Sequence, residues 1–187
     1  MTPRSPALST ADIRRPIVAT AALRAFARGG FHGTTVADVA RDAEISPAYV
    51  FKLFPRKELL FVAALEVCFE KIVAALAAGA DAAEGDSPEA VLDAMGDAYA
   101  DLIRDRTLLQ LQVHAQSVAD VPELGDALRA GLARVTTFAA ERSAGSDDQV
   151  QRFMAFGQLC HLLVTAGIGE SGGRWAQILS HGIRHPE

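Results

Sequence analysis

Cysteine is scarce in this 187-residue chain, and the two present, Cys68 and Cys160, sit in apolar helical patterns. They have neither metal-ligand spacing nor a disulfide framework, so reduced, buried thiols of a cytosolic protein are expected. No apolar run reaches the ~18 residues that a membrane span needs. No signal peptide is visible either, and the expectation is a soluble, cytoplasmic protein without membrane contact. Catalytic signatures are missing too, with no Gly-rich phosphate loop and no H-E-x-x-H pair. Cys160 and His161 adjoin on a helix, point about 100° apart and cannot form a dyad. His181 and His185 have i, i+4 spacing, but Pro186 follows and no third ligand is local. The reading is no enzyme, no cofactor and no metal.

Helix is what the composition offers instead. Half of the residues are hydrophobic and alanine is abundant, which favours an all-α protein over a sheet. The length suits one compact unit, or a small domain fused to a larger one. A net charge of -5 taken alone argues against nucleic acid. Its distribution argues the other way. Residues 1–57 carry nine Lys and Arg against four Asp and Glu, a net of +5, which leaves −10 for residues 58–187. A basic head on an acidic body directs DNA to one end and keeps it off the other.

Residues 34–60, TTVADVARDAEISPAYVFKLFPRKELL, hold two short helical patterns with a tight break between them. Thr35 is a helix cap, and Asp38 three places on completes a capping-box pair. Val36, Val39 and Ala40 fall on one apolar face. The break comes at Ala43-Glu44-Ile45. Ser46 is a second cap, and Pro47 suits a first helical position, where no N–H is needed. In the second helix Val50 and Phe54 share one face, while Ala48, Tyr49 and Lys52 share another. A small, an aromatic and a basic residue facing outward suit a major groove, and Pro55-Arg56-Lys57 leaves two cations where a phosphate backbone would pass. The layout is that of a helix-turn-helix. On local physics alone the same pattern also fits an αα-hairpin with a solvated basic face.

The stretch from Val18 to about Leu60 resembles the DNA-binding domain of the TetR family of one-component bacterial regulators. The resemblance rests on Val18, Ala21-Ala22, Phe26-Ala27, Gly30-Phe31-His32-Gly33-Thr34-Thr35-Val36, Val39-Ala40, Ala43, Ile45-Ser46-Pro47, Phe54-Pro55 and Lys57-Glu58-Leu59-Leu60. It covers about a quarter of the chain, ordered and ungapped. Two positions depart from the family pattern. Glu44 stands where the family usually has Gly, so a positive φ there is costly. Phe51 stands where the family often has a tyrosine whose hydroxyl meets a phosphate, a bond that phenylalanine cannot make. Tyr49 lies about 200° around the helix from that position and does not replace it. Thr35, Ser46, Ala48, Tyr49, Lys52 and Lys57 are the expected DNA-binding residues.

Along the chain, residues 1–10 read as a mobile arm carrying Arg4. The first helix is expected to become regular near Pro16 and to stop at Gly29-Gly30. A fourth helix, about 58–78, leaves the head without a linker. Further helices are expected at about 88–104 behind Ser87-Pro88, at 107–118, from Asp120 and Pro122 to Ser143-Ala144-Gly145, at 148–168 behind a cap at Asp147, and at 174–183. The expected organisation is all-α with about nine helices: a three-helix helix-turn-helix domain, 1–57, joined through the fourth helix to a helical ligand-binding and dimerisation body, 58–187.

The resemblance implies that this body dimerises and encloses a small-molecule pocket, and that ligand binding moves the two heads apart on a palindromic double-stranded operator. Candidate ligand-binding residues are Phe69, Met95, Tyr99, Leu109, Val113, His114, Phe138, Phe153 and His161. Each is also an ordinary core residue in kind. Tyr99 and His114 stand out because buried polar groups must find partners. Phe153, Phe156, Gly157, Cys160 and Val164 are the candidate dimer interface, the small residues allowing close approach. The implied function is a transcriptional repressor released by a small, largely apolar effector. The alternative is a helical dimer acting through protein partners, with a weak or vestigial DNA-binding head.

Overall fold

A computed structural model describes residues 10–168 and 171–183. The expected arm therefore lies outside the described residues except for Thr10, as do His185 and Pro186. The described residues form nine helices and no strand: α1 Thr10–Gly33, α2 Val36–Asp42, α3 Pro47–Leu53, α4 Lys57–Asp81, α5 Pro88–Leu102, α6 Thr107–Ser117, α7 Pro122–Ser143, α8 Asp147–Thr165 and α9 Arg174–Ser180. None is long and apolar enough to cross a membrane. Among the described residues no three His, Cys, Asp or Glu side chains gather for a metal ion.

Helix starts follow the local chemistry. Thr35 and Asp38 form a complete capping box on α2, and Ser46 accepts from the Tyr49 N–H at the start of α3. Ser87 does the same for α5, with Pro88 in its first turn. Two expectations are corrected. The cap of α8 is Ser146, paired with Gln149 in a second capping box, rather than Asp147. And α1 is already helical at Thr10, the first described residue, six residues before Pro16. Residues 12–17 are exposed, so a proline without an N–H sits on a water-facing turn of the helix. The chain then bends at Gly30, whose φ of 67° and ψ of 179° interrupt α1 without ending it.

α4 is the central post, packed against α1, α5, α6 and α7. One continuous core runs from Val18 in α1 to Val150 in α8, so the residues on either side of position 57 share it. At its upper end Phe61 of α4 meets Phe26 edge-on at 4.9 Å and Phe31 at 5.4 Å, tying both limbs of the bent α1 to the post. Farther down, α7 approaches so closely that a Cβ on Gly131 would stand 2.0 Å from the Phe69 ring. Smaller clusters form around Ile103, Leu109 and Cys160, and around Leu163, Ile168 and Ala176 beneath α9.

Candidate nucleic-acid interface and body cavity

The turn between α2 and α3 closes as a Schellman motif. The Ile45 N–H reaches the Ala40 carbonyl at 3.0 Å and the Glu44 N–H reaches Arg41 at 3.2 Å. This geometry puts Glu44 at φ 55°, the left-handed region where a side chain is strained. Val50 and Leu53 of α3 are buried, which turns Pro47, Ala48, Phe51 and Lys52 outward. Tyr49 is half-buried and packs on the core, so it shares the outward face only in part. Phe51, which lacks a hydroxyl for a phosphate, also faces outward, a point that the sequence reading did not consider. It is 48% exposed, beside Ala48 and Lys52. Its position three after Ala48 was the available signal.

Several polar groups of the head are already engaged. The Thr35 hydroxyl accepts from the Asp38 N–H at 3.2 Å and donates to the Asp38 carboxylate at 2.6 Å. Donation from the Thr35 hydroxyl and backbone N–H, and then from Arg41, holds the Asp38 carboxyl down at about 2. Lys57 lies over the Phe31 ring at 4.7 Å, and Arg15 over Phe54 at 5.2 Å. Arg28 pairs with Asp42. Arg56 reaches across to Glu123 of α7 at 2.9 Å, and that carboxylate raises the guanidinium pKa further. Lys52 is exposed, and Ser46 caps α3 on the same edge.

The body holds a small cavity of about 40 Å³ between α4, α5, α6, α7 and α8. Of the expected ligand residues it brings together Phe69, Tyr99, Phe153 and His161. The Tyr99 hydroxyl and His161 Nε2 lie 2.5 Å apart. Burial lowers the His161 pKa to about 4 and raises that of Tyr99. Gln112, Met154 and Gln158 also line the cavity and were missed. For Gln112 a signal existed: a polar residue on the apolar face of Leu108, Leu111 and Ala115.

Other expectations fall elsewhere. Met95 is sealed in the core, Leu109 packs with Ile103 and Cys160, Phe138 is half-buried against the core, and Val113 faces solvent. His114 leaves the cavity altogether. Its ring covers Gly30, where an added Cβ would come within 3.0 Å of Nδ1. Of the expected dimer face on α8, Cys160 is buried and Phe153, Gly157 and Val164 are half-buried. Phe153 and Gly157 line the cavity, and Cys160 and Val164 pack with Ile103 and Leu109. Burial raises the thiol pKa of Cys160, and that of Cys68 to about 12. Phe156 alone of the five is strongly exposed, and Leu162, Trp175 and Ile178 are exposed as well.

Residues 19–64, which hold both helices of the turn, match the family described as bacterial regulatory proteins, tetR family. No curated protein matches the chain. Among solved structures, a TetR-family member from Streptomyces coelicolor A3 superposes with a TM-score of 0.69 at 20% identity, covering 91% of this chain and 98% of that one. A TetR-family transcriptional regulator from Agrobacterium tumefaciens gives 0.68 at 16% identity, with 91% and 94% covered. The multidrug binding protein EbrR complexed with imidazole gives 0.64 at 21% identity, with 100% and 99% covered. The match at residues 19–64 thus places this chain's N-terminal domain in the TetR family, on a fold that the family's transcriptional regulators share.

Proposed function

We propose that the chain is a one-component transcriptional repressor that binds a palindromic operator as a homodimer and is released by a small, largely apolar effector. The observation that carries this reading is the outward face of α3 behind a fully capped α2. Lys52 reads base edges, Ala48 and Phe51 offer apolar contact to thymine methyl groups, and Tyr49 reaches a neighbouring base or phosphate. Thr35, Ser46 and Lys57 position the backbone. The exposed Phe156, Leu162, Trp175 and Ile178 supply the apolar surface for a second copy.

Helix α6 is the coupling element in this reading. Gln112 faces the cavity, and two residues on His114 sits against Gly30 of the head. An effector that displaces Gln112 moves the contact beneath α1, and the spacing of two recognition helices is sensitive to small shifts.

Gel shifts on the DNA upstream of the protein's own coding region test the proposal. Wild-type affinity is expected to fall steeply with salt, as phosphate contacts demand. Lys52→Ala and Phe51→Ala should cost about tenfold to a hundredfold on the cognate site and much less on random DNA. Equal losses on both DNAs, or a wild type that binds neither, would sink the reading.

A further inference from the structure

The polar groups of the body cavity point to a particular chemistry for its occupant. Tyr99, Gln112 and His161 come from three different helices, and none of the cavity-lining residues is Asp, Glu, Lys or Arg. The Gln112 amide donates to the Leu108 carbonyl at 3.2 Å. His161 is 4% exposed, and its Nδ1 has no hydrogen-bond partner.

Hydrogen-bond accounting sets the tautomer. If His161 Nε2–H donated to Tyr99, the phenol proton and the Nδ1 lone pair would both be left unpaired. If Tyr99 donates to Nε2, a single orphan remains, the Nδ1–H. Each unpaired buried group costs about 1–3 kcal/mol, so the second arrangement wins. One unsatisfied N–H donor is therefore left on His161, a residue that lines this uncharged, mostly apolar cavity.

We propose that the effector is an electrically neutral, largely apolar molecule carrying a hydrogen-bond-accepting oxygen, a ketone or ester, which takes the His161 Nδ1–H. This rests on the reading of the cavity as the effector site. A cation or anion entering here finds no counter-charge, and burying an unpaired charge is prohibitive. The cavity as it stands holds only a few water positions at about 10–15 Å³ each. A ring-sized guest must push Phe153 or Met154 aside, and both are half-buried. Tyr99, Phe153 and Gly157 also line an open cleft of about 640 Å³ between α5 and α8, which gives the guest its route.

Nuclear magnetic resonance on the full chain tests this with cyclopentanone and cyclopentylammonium as matched probes. The wild-type imidazole of His161 should carry its proton on Nδ1. Cyclopentanone should shift that signal and the Met154 methyl, and the ammonium should shift neither. His161→Phe should weaken cyclopentanone binding about tenfold, the worth of one hydrogen bond, while His161→Gln, which keeps an N–H donor, stays close to wild type. A proton on Nε2, equal binding of the ammonium, or unchanged ketone affinity in His161→Phe overturns the proposal. The readout needs no DNA. A chain that shifts operator DNA but ignores cyclopentanone refutes the pocket chemistry alone, and one that binds the ketone but no DNA refutes the regulator.

Discussion

The α2–α3 unit and the helical body dispose their polar groups in opposite ways. Around α2 and α3 these groups lie mostly at the surface, on capped helix ends and on an outward face that includes Ala48 and Lys52, with Thr34 the buried exception. In the body, Gln112, Ser143 and His161 are buried and answered almost entirely from within, Ser143 by the Ala139 carbonyl at 2.7 Å. A partner of fixed outer shape, such as a duplex, is met by chemistry laid out in advance on a surface. A partner that must be enclosed needs a dry interior with a few polar groups waiting in it.

Truncation of the core should erase this contrast most violently. Phe69→Ala removes the ring wedged against Gly131 and should cost about 3–5 kcal/mol in urea unfolding. Because head and body share one core, both should melt at the same lowered midpoint. A head that kept its wild-type midpoint would show two independent units. The next effect belongs to the body alone. With His161 held at about 4, against its ordinary 6.5, the native state binds fewer protons than the unfolded chain between those values. Stability should rise with pH across that window by an amount of order a few kcal/mol, and flatten above it. The difference between wild type and His161→Gln isolates this slope, and parallel pH profiles would count against a buried neutral imidazole. The smallest effect sharpens the picture of the head. Glu44→Gly relieves the left-handed strain at φ 55° and should stabilise by about 0.5–1 kcal/mol after the entropy of glycine is set against it. Destabilisation would reveal a compensating role for the Glu44 side chain.

The same contrast decides what could be read in advance. Thr35 with Asp38 and Ser46 with Pro47 act over three residues or fewer, so the caps of α2 and α3 were legible from the sequence. Tyr99 meets His161 across 62 positions, and Arg56 meets Glu123 across 67. Such pairs depend on how helices cross, which periodicity does not encode. That is why Tyr99 and His161 could be chosen as polar candidates but not joined. It is also why His114, chosen for the same reason, belongs against Gly30 instead. On α8 the small residues were visible, but whether Gly157 and Cys160 faced a second copy or their own chain was not. The outward ring of Phe51 went unremarked for a different reason: comparison with a tyrosine drew attention to the missing hydroxyl.

The direct run from Phe54 through Pro55 and Arg56 into α4 has a mechanical consequence. With 25 residues, α4 is a rod about 37 Å long. Its first two turns grip the head through Lys57 on Phe31 and Phe61 between the limbs of α1, and Arg56 is pinned to α7. Such a rod converts angle into displacement. A tilt of about 5° at its far end sweeps the head by about 3 Å, close to the rise of one base pair. Where a flexible tether would have absorbed that motion, this junction delivers it whole.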